Sequence, residues 1–143
     1  MFYGAPTGTI QKLQRVQNNA DRTVLQASRR SHAKPLLHQL HWLPVQQRIT
    51  YKLAVLTYKV GARSLQFTHR RIAERACSRT LRSSVIPLLE QPFMRTDFSR
   101  RAFRFSAPSV WNSLPQTVLI SDSLSVFKSR LKTVLFNQAF TEH

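Results

Sequence analysis

The positive charge of this chain is the feature that most limits how it can fold. The sequence of 143 residues has 22 Lys and Arg against six Asp and Glu, for a formal net charge of +16. Because such a surplus repels itself in a compact state, a fold must keep its cations at the surface and gather anions there. Hydrophobic residues nevertheless make up 42% of the chain, so we expect one folded domain with a core rather than disorder.

Apolar residues recur at helical spacing in the first part of the chain. A helix is predicted from Thr9 to about Arg30, with Thr7 or Thr9 as its cap. Pro35 fits the first turn of a second helix, and Pro44 ends that segment. The positions predicted to form one face of the first helix are Ile10, Leu13, Gln17, Ala20, Val24 and Ala27.

Two further helices have clear signals. The third is predicted from Pro44 to about Val60, with Gly61 as a natural stop just beyond it. The last begins after a cap at Asp122 or Ser123. The predicted core faces are Val45, Ile49, Leu53, Leu56 and Val60 in the third helix, and Leu124, Phe127, Leu131 and Leu135 in the last.

The stretch from Val85 to Ala107 has a shorter period. Phe103 and Phe105 alternate with polar or small residues, and a two-residue alternation rich in aromatic side chains favours a β-strand. We therefore predict a small hairpin over residues 85–107. A short helical turn anchored by Trp111 is expected to follow it.

The predicted fold class is mainly α, a small helical bundle with a short β-hairpin in the second half. Residues 1–62 form a basic helical region, 63–84 a basic linker or short helix, and 85–143 the hairpin and C-terminal helix. No apolar run reaches the roughly 18 residues that a membrane span needs. The expected structural anchors are Trp42, Leu53, Leu56, Phe103, Trp111, Phe127 and Leu131.

The sequence does not predict catalysis. The acids are spread singly, so neither a two-metal site nor a pair of carboxylates for acid–base work is indicated. His38 and His41 stand three residues apart, but without further ligands nearby they are expected to be structural or surface histidines. Cys77 is the single cysteine, which excludes an internal disulfide and a Cys-rich zinc site. No metal and no cofactor are expected.

Nucleic acid is the polyanion that best matches this charge. Lys and Arg bind phosphates, while aromatic rings and guanidinium groups stack on unpaired bases. The competing interpretation of any single basic run is a solvated surface. The candidate nucleic-acid-binding residues are Arg29, Arg30, Arg48, Lys52, Arg70, Arg71, Arg75, Arg79, Arg82, Arg101 and Arg104.

Four ordered blocks of the chain resemble one protein family, the reverse transcriptases of non-LTR (LINE-type, jockey-like) retrotransposons. The blocks read LQRVQNNADRTVL, HAKPLLHQLHWLPVQQRITYKLAVLTYK, RTLRSS and RAFRFSAPSVWNSLPQTVLISDSLSVFKSRLKTVLF. The resemblance is to the C-terminal part of the enzyme, its thumb and the segment that follows. Family members copy RNA into DNA at a nicked chromosomal target. The resemblance implies helices that pack within a polymerase and hold a primer–template duplex, with their cations toward phosphates.

The chain also departs from this family. It has no Asp-Asp pair, so the catalytic palm motif is missing, as are the endonuclease domain and a Cys/His zinc knuckle. Asp21 stands where the family has a small apolar residue, and on the first helix it would face or border the core. The stretch VGARSLQFT, from Val60 to Thr68, does not match the family loop. A fragment of a mobile element that opens at a convenient Met is the expected origin.

The predicted function is therefore non-catalytic binding of RNA or RNA/DNA duplex without sequence readout. One alternative is a non-functional open reading frame derived from a mobile element. A second is a basic interaction or membrane-surface module. The N-terminus lacks the pattern of a secretory signal, so a nuclear or cytoplasmic location is expected if the protein is made, and secretion is not.

Overall fold

A computed structural model describes residues 2–62 and 88–141 of the chain. These residues form helices and no β-strand, so the mainly α prediction is confirmed. The helices are α1 (Thr7–Val24), α2 (Ala33–Gln39), α3 (Val45–Ala62), α4 (Asp97–Arg100), α5 (Phe103–Asn112), α6 (Gln116–Leu119) and α7 (Leu124–Thr141).

The core forms where α5 and α7 pack against α3. The ring of Phe127 on α7 is fully buried and stacks on Tyr58 of α3, with ring centroids 4.5 Å apart. Trp111 of α5 stacks on the same phenylalanine at 5.9 Å. The Tyr58 hydroxyl donates a hydrogen bond of 3.1 Å to the carbonyl of Ser121, so this polar group has a partner at the edge of the aromatic cluster.

The expected anchors divide into two groups. Leu53, Phe127 and Leu131 are fully buried in this core, and Phe103 and Trp111 pack against it while partly buried. Trp42, which precedes α3, and Leu56 of α3 are half-buried and line an open cavity away from this core. The sequence pattern therefore finds the α5–α7 side of the core, but it also assigns to the core two residues of another surface.

Helix α3 is rotated relative to its predicted face. The fully buried positions of α3 are Leu53, Ala54, Val55 and Thr57, whereas Val45, Ile49, Leu56 and Val60 are only half-buried. The helix also continues through Gly61 to Ala62, so Gly61 is not a stop. Of the apolar side chains that recur at steps of three and four residues along α3, only Leu53 is therefore buried in the main core.

Helix α1 buries polar side chains where it meets the rest of the molecule. Its buried residues are Gln17 and Asp21, whereas Val24, predicted on the core face, is 56% exposed. The expectation that Asp21 faces the core is confirmed, since its side chain is 0% exposed. Neither carboxylate oxygen of Asp21 has a hydrogen-bond partner within residues 2–62 and 88–141.

The predicted ends of α1 are wrong at both termini. The helix starts at Thr7 after Pro6, and no side chain caps it, so neither threonine has the predicted role. It ends at Val24 rather than near Arg30, because Gln26 adopts a positive φ of 51° in the left-handed region, which terminates a helix.

The strand predicted around Phe103 and Phe105 is wrong. These residues belong to α5, in which Phe103, Ser106, Ala107 and Val110 turn toward the core at steps of three, one and three residues. That spacing is helical, and the two-residue alternation of the phenylalanines is too short to outweigh it. The described part of the predicted hairpin, residues 88–107, contains no strand, and residues 85–87 lie outside the described residues.

The helix starts predicted from proline and serine are confirmed. Pro35 lies in the first turn of α2, where its missing N–H costs nothing. Ser123 precedes α7, and its hydroxyl accepts a hydrogen bond of 3.3 Å from the backbone N–H of Val126. The predicted face of α7 is confirmed as well, since Phe127, Leu131 and Leu135 are its buried residues.

Replacing Phe127 by alanine is expected to lower the free energy of unfolding by about 3–5 kcal/mol, because the change leaves a cavity beside Tyr58 and Trp111. Phe98→Ala is the matched control, since that ring is 81% exposed and its removal is expected to cost less than about 0.5 kcal/mol. Urea unfolding followed by circular dichroism measures both. Equal destabilisation of the two variants would contradict the packing described.

Replacing Asp21 by alanine is expected to raise the free energy of unfolding by about 1–3 kcal/mol, because it removes a buried carboxylate without hydrogen-bond partners. Glu90→Ala is the control, since it removes the same charge from an exposed position. A thermal melt of each variant measures the change. A lower melting temperature for Asp21→Ala than for Glu90→Ala would show that the carboxylate stabilises the fold.

Candidate functional site

A cavity of about 710 Å³ opens beside the connection between α2 and α3. We call this connection, residues 40–44, the corner. Cations and aromatic rings from two helices and the corner meet in the cavity. Its volume falls within the range of about 300–1,000 Å³ that is usual for ligand sites. We call this cavity the basic cleft; its lining residues are His41, Trp42, Leu43, Arg48, Tyr51, Lys52 and Lys132.

Hydrogen bonds from α1 hold the corner that forms one wall of the basic cleft. The side-chain amide of Gln17 donates to the carbonyl of Leu43 at 2.9 Å, and this pair is buried. The carbonyl oxygen of the Gln14 side chain accepts from the backbone N–H of Val45 at 2.9 Å. Val45 is the first residue of α3, so Gln14 supplies the partner that the free N–H at a helix start requires.

The local sequence places the cations of α3 on one side of the helix. Arg48 and Lys52 are separated by four residues, so they are neighbours on the helix surface, and Tyr51 lies between them. Lys132 comes from α7, about 80 residues later in the sequence. No carboxylate occurs among the described lining residues. Cations that line one cavity repel each other, and an anion in the cleft would relieve that repulsion.

The aromatic rings give the cleft a second property. Trp42 follows His41, whose φ is 52°, so the backbone bends sharply just before the indole. Burial raises the pKa of the Tyr51 phenol above its ordinary value of 10.0, so this hydroxyl stays protonated and neutral at physiological pH. An arrangement of three cations, a neutral phenol and an indole can hold a phosphate and stack on a planar base.

The structure brings together two of the predicted binding residues, Arg48 and Lys52. Arg29 and Arg30 lie exposed in the loop between α1 and α2, where Arg29 lines a different cavity with Arg22. The Arg22 guanidinium donates to the carbonyl of Ser31 from Nε at 3.1 Å and from Nη2 at 3.0 Å, which ties that loop to α1.

The remaining predicted residues are separate from the basic cleft. Arg104 is exposed near the start of α5. Arg101 is half-buried, its Nε is buried without a hydrogen-bond partner among the described residues, and it packs close to Gly4, whose φ is 68°. The other five predicted residues, like Cys77, lie outside the described residues: Arg70, Arg71, Arg75, Arg79 and Arg82.

Five residues of the basic cleft are not among the predicted binding residues: His41, Trp42, Leu43, Tyr51 and Lys132. Tyr51 carries a usable signal, an aromatic residue between two cations on one helix. Lys132 carries none, because only the packing of α7 on α3 brings it to the cleft. His41 is predicted to be structural or at the surface, and its ring also stacks on Phe136 with centroids 5.4 Å apart.

The two histidines of the corner join an aromatic cluster with the end of α7. The ring of His38 lies 5.1 Å from Phe136 and 5.1 Å from Phe140, between centroids. The ring centroids of His38 and His41 are 6.4 Å apart. These ring contacts fix the position of the corner relative to α7, and therefore the distance between the α3 cations and Lys132.

Residues 2–62 and 88–141 contain neither a clustered metal-ligand set nor a membrane-spanning helix. No three His, Cys, Asp or Glu side chains come close enough together there to hold a metal ion. None of the helices in those residues is long and apolar enough to cross a bilayer.

Comparison of the chain with protein-family models, with curated proteins and with solved structures gives no match. The resemblance to a retrotransposon reverse transcriptase therefore stays a prediction from the sequence blocks.

Replacing Gln17 by alanine is expected to lower the free energy of unfolding by about 1–3 kcal/mol, because the buried carbonyl of Leu43 loses its donor. Gln11→Ala changes the same residue type at an exposed position of α1 and serves as control. Urea unfolding measures stability, and the fluorescence of Trp42 in a Trp111→Phe background reports the corner. Unchanged stability and emission in Gln17→Ala would contradict a corner held from α1.

Proposed function

We propose that this protein binds RNA or RNA/DNA duplex through phosphate contacts, without sequence readout and without catalysis, and that the basic cleft is the centre of its binding surface. The observation that carries the proposal is the joint lining of one cavity by Arg48, Lys52, Lys132 and two aromatic rings. Phosphate contacts position a nucleic acid and do not read its sequence, so the proposal is limited to non-specific binding.

The charge of the described residues supports an external polyanion. They include sixteen Lys and Arg and four acids. Of these acids, Asp21 is fully buried, and Asp97 pairs with Arg100 at 3.5 Å on an exposed surface, where such pairs contribute little. Carboxylates of the described residues therefore neutralise a small part of the positive charge, and counterions released from a bound nucleic acid would favour binding.

The rings support contact with unpaired bases in addition to phosphates. Trp42 and Tyr51 line the same cavity as the cations, and every base offers a face for stacking on an aromatic ring. A site of this kind tolerates any sequence. It therefore agrees with the proposed lack of sequence readout.

The family resemblance supplies an origin for this surface. We propose that the chain descends from the thumb and following segment of a retrotransposon reverse transcriptase, in which such cations would meet a primer–template duplex. The absence of an Asp-Asp pair in the sequence supports a non-catalytic role, because polymerases use clustered acids to hold their metal ions.

The test removes the three cations of the basic cleft together, as Arg48→Gln, Lys52→Gln and Lys132→Gln. Fluorescence anisotropy with a labelled RNA/DNA duplex and a labelled single-stranded RNA is measured between about 50 and 200 mM salt. The dependence of log K on log salt is expected to become less steep by about three, roughly one for each cation removed from a phosphate.

The matched control removes three exposed cations elsewhere, as Lys12→Gln, Arg15→Gln and Arg95→Gln. If binding is centred on the cleft, this control keeps a steeper salt dependence than the cleft variant. An equal loss of salt dependence in both variants would mean that binding depends on total positive charge and not on the basic cleft. No binding at about 50 mM salt would contradict the proposal and favour a non-functional reading frame. Stronger binding to anionic vesicles than to RNA would instead favour a membrane-surface module.

A further inference from the structure

We propose that an open groove between α1 and α3 docks an acidic amphipathic helix of a partner protein. The groove is a cavity of about 790 Å³ and lies on the other side of Arg48 and Lys52 from the basic cleft. Residues that line the groove and not the cleft are Phe2, Leu13, Val16, Gln17, Ala20, Val45, Ile49 and Leu56.

The apolar side chains of the groove are poorly buried for their size. Val16 is 67% exposed and Phe2 is 54% exposed. Ile49 and Leu56 belong to the most regular helical repeat of the sequence, yet they are only half-buried. Exposed apolar patches rimmed by polar residues are often interaction sites, so this groove is a candidate docking surface.

The shape of the groove fits a helix. Its α3 wall runs from Val45 to Leu56, and its α1 wall from Leu13 to Ala20. At about 1.5 Å per residue these walls are roughly 16 Å and 10 Å long, which corresponds to two or three turns of a docked helix. Such a helix would place apolar residues at positions i, i+3 or i+4, and i+7 into the groove.

The charge along the groove indicates an acidic partner. Arg48 and Lys52 line it, and no carboxylate occurs among its described lining residues. The acid of α1, Asp21, is fully buried and therefore offers no charge to a partner. A second copy of this chain is a poor occupant, because two molecules of net charge +16 repel each other.

The groove and the basic cleft share Trp42, Arg48 and Lys52, but each has residues of its own. Val16 lines the groove alone, and Lys132 lines the cleft alone. Variants at these two positions therefore separate the two proposals, and neither proposal rests on the other.

The test uses the full chain and a labelled peptide designed as an amphipathic helix, with Leu at the groove positions and Glu on the flanks. Anisotropy is measured for this peptide, for a scrambled peptide of the same composition, and for one with Lys in place of Glu. We expect the designed acidic peptide to bind more tightly than both comparison peptides, because it alone combines the apolar spacing with the complementary charge.

Val16→Glu is expected to weaken binding of the acidic peptide by roughly ten-fold or more, because it places a like charge in the apolar contact. Val24→Glu is the matched control, since it adds the same charge to an exposed valine of the same helix, and affinity should change less than about two-fold. Because Val16 is exposed, neither variant is expected to disturb the fold.

Several results would overturn the proposal. They are equal binding of the designed and scrambled acidic peptides, equal affinities of Val16→Glu and Val24→Glu for the peptide, and a weakening in Lys132→Gln as large as in Val16→Glu. The last result would place the peptide in the basic cleft. A selective decrease of RNA binding in Val16→Glu, with peptide binding unchanged, would assign the groove to nucleic acid instead.

Discussion

The structure depends on the mutual packing of Phe127, Tyr58 and Trp111. These three rings come from α7, α3 and α5, so one aromatic cluster joins the first half of the chain to the second. Aromatic rings bury a large apolar area, and stacked pairs add a preferred geometry to it. Because α7 lies on α3 in this way, Lys132 lines the same cavity as Arg48 and Lys52. The basic cleft is therefore a consequence of core packing rather than of a local motif.

Helix α1 is attached by a different kind of contact. Gln14 and Gln17 reach the backbone at the start of α3, and Asp21 lies buried one turn later without a partner among the described residues. Hydrogen bonds of this type fix position but remove little apolar surface from water. The apolar side chains Leu13 and Val16 are left at the edge of the open groove. Because α1 is attached through polar contacts, its apolar side chains are left uncovered. The proposed docking helix would cover them.

The two proposed surfaces share one row of cations on α3. Arg48 and Lys52 face the basic cleft on one side and the apolar groove on the other. The lining of each side decides which anionic partner it suits. Rings beside Lys132 favour phosphates and bases, while aliphatic side chains beside α1 favour an apolar helix with acidic flanks. The excess of positive charge, which disfavours compact folding, would in both proposals be the source of affinity for a partner.

Local periodicity and capping were enough to predict the helical class, the buried face of α7, and the helix starts at Ser123 and Pro35. The burial of Asp21 was expected from its place on the first helix, where the resembled family has an apolar residue. The sequence predicted Arg48 and Lys52 as binding residues from charge alone. Tertiary packing accounts for what these patterns missed: the helical state of α5, the burial of Leu53, Ala54, Val55 and Thr57 on α3, and the cavity that Lys132 shares with Arg48 and Lys52. Which side of an apolar helix is buried depends on the elements that pack against it, and these are distant in sequence.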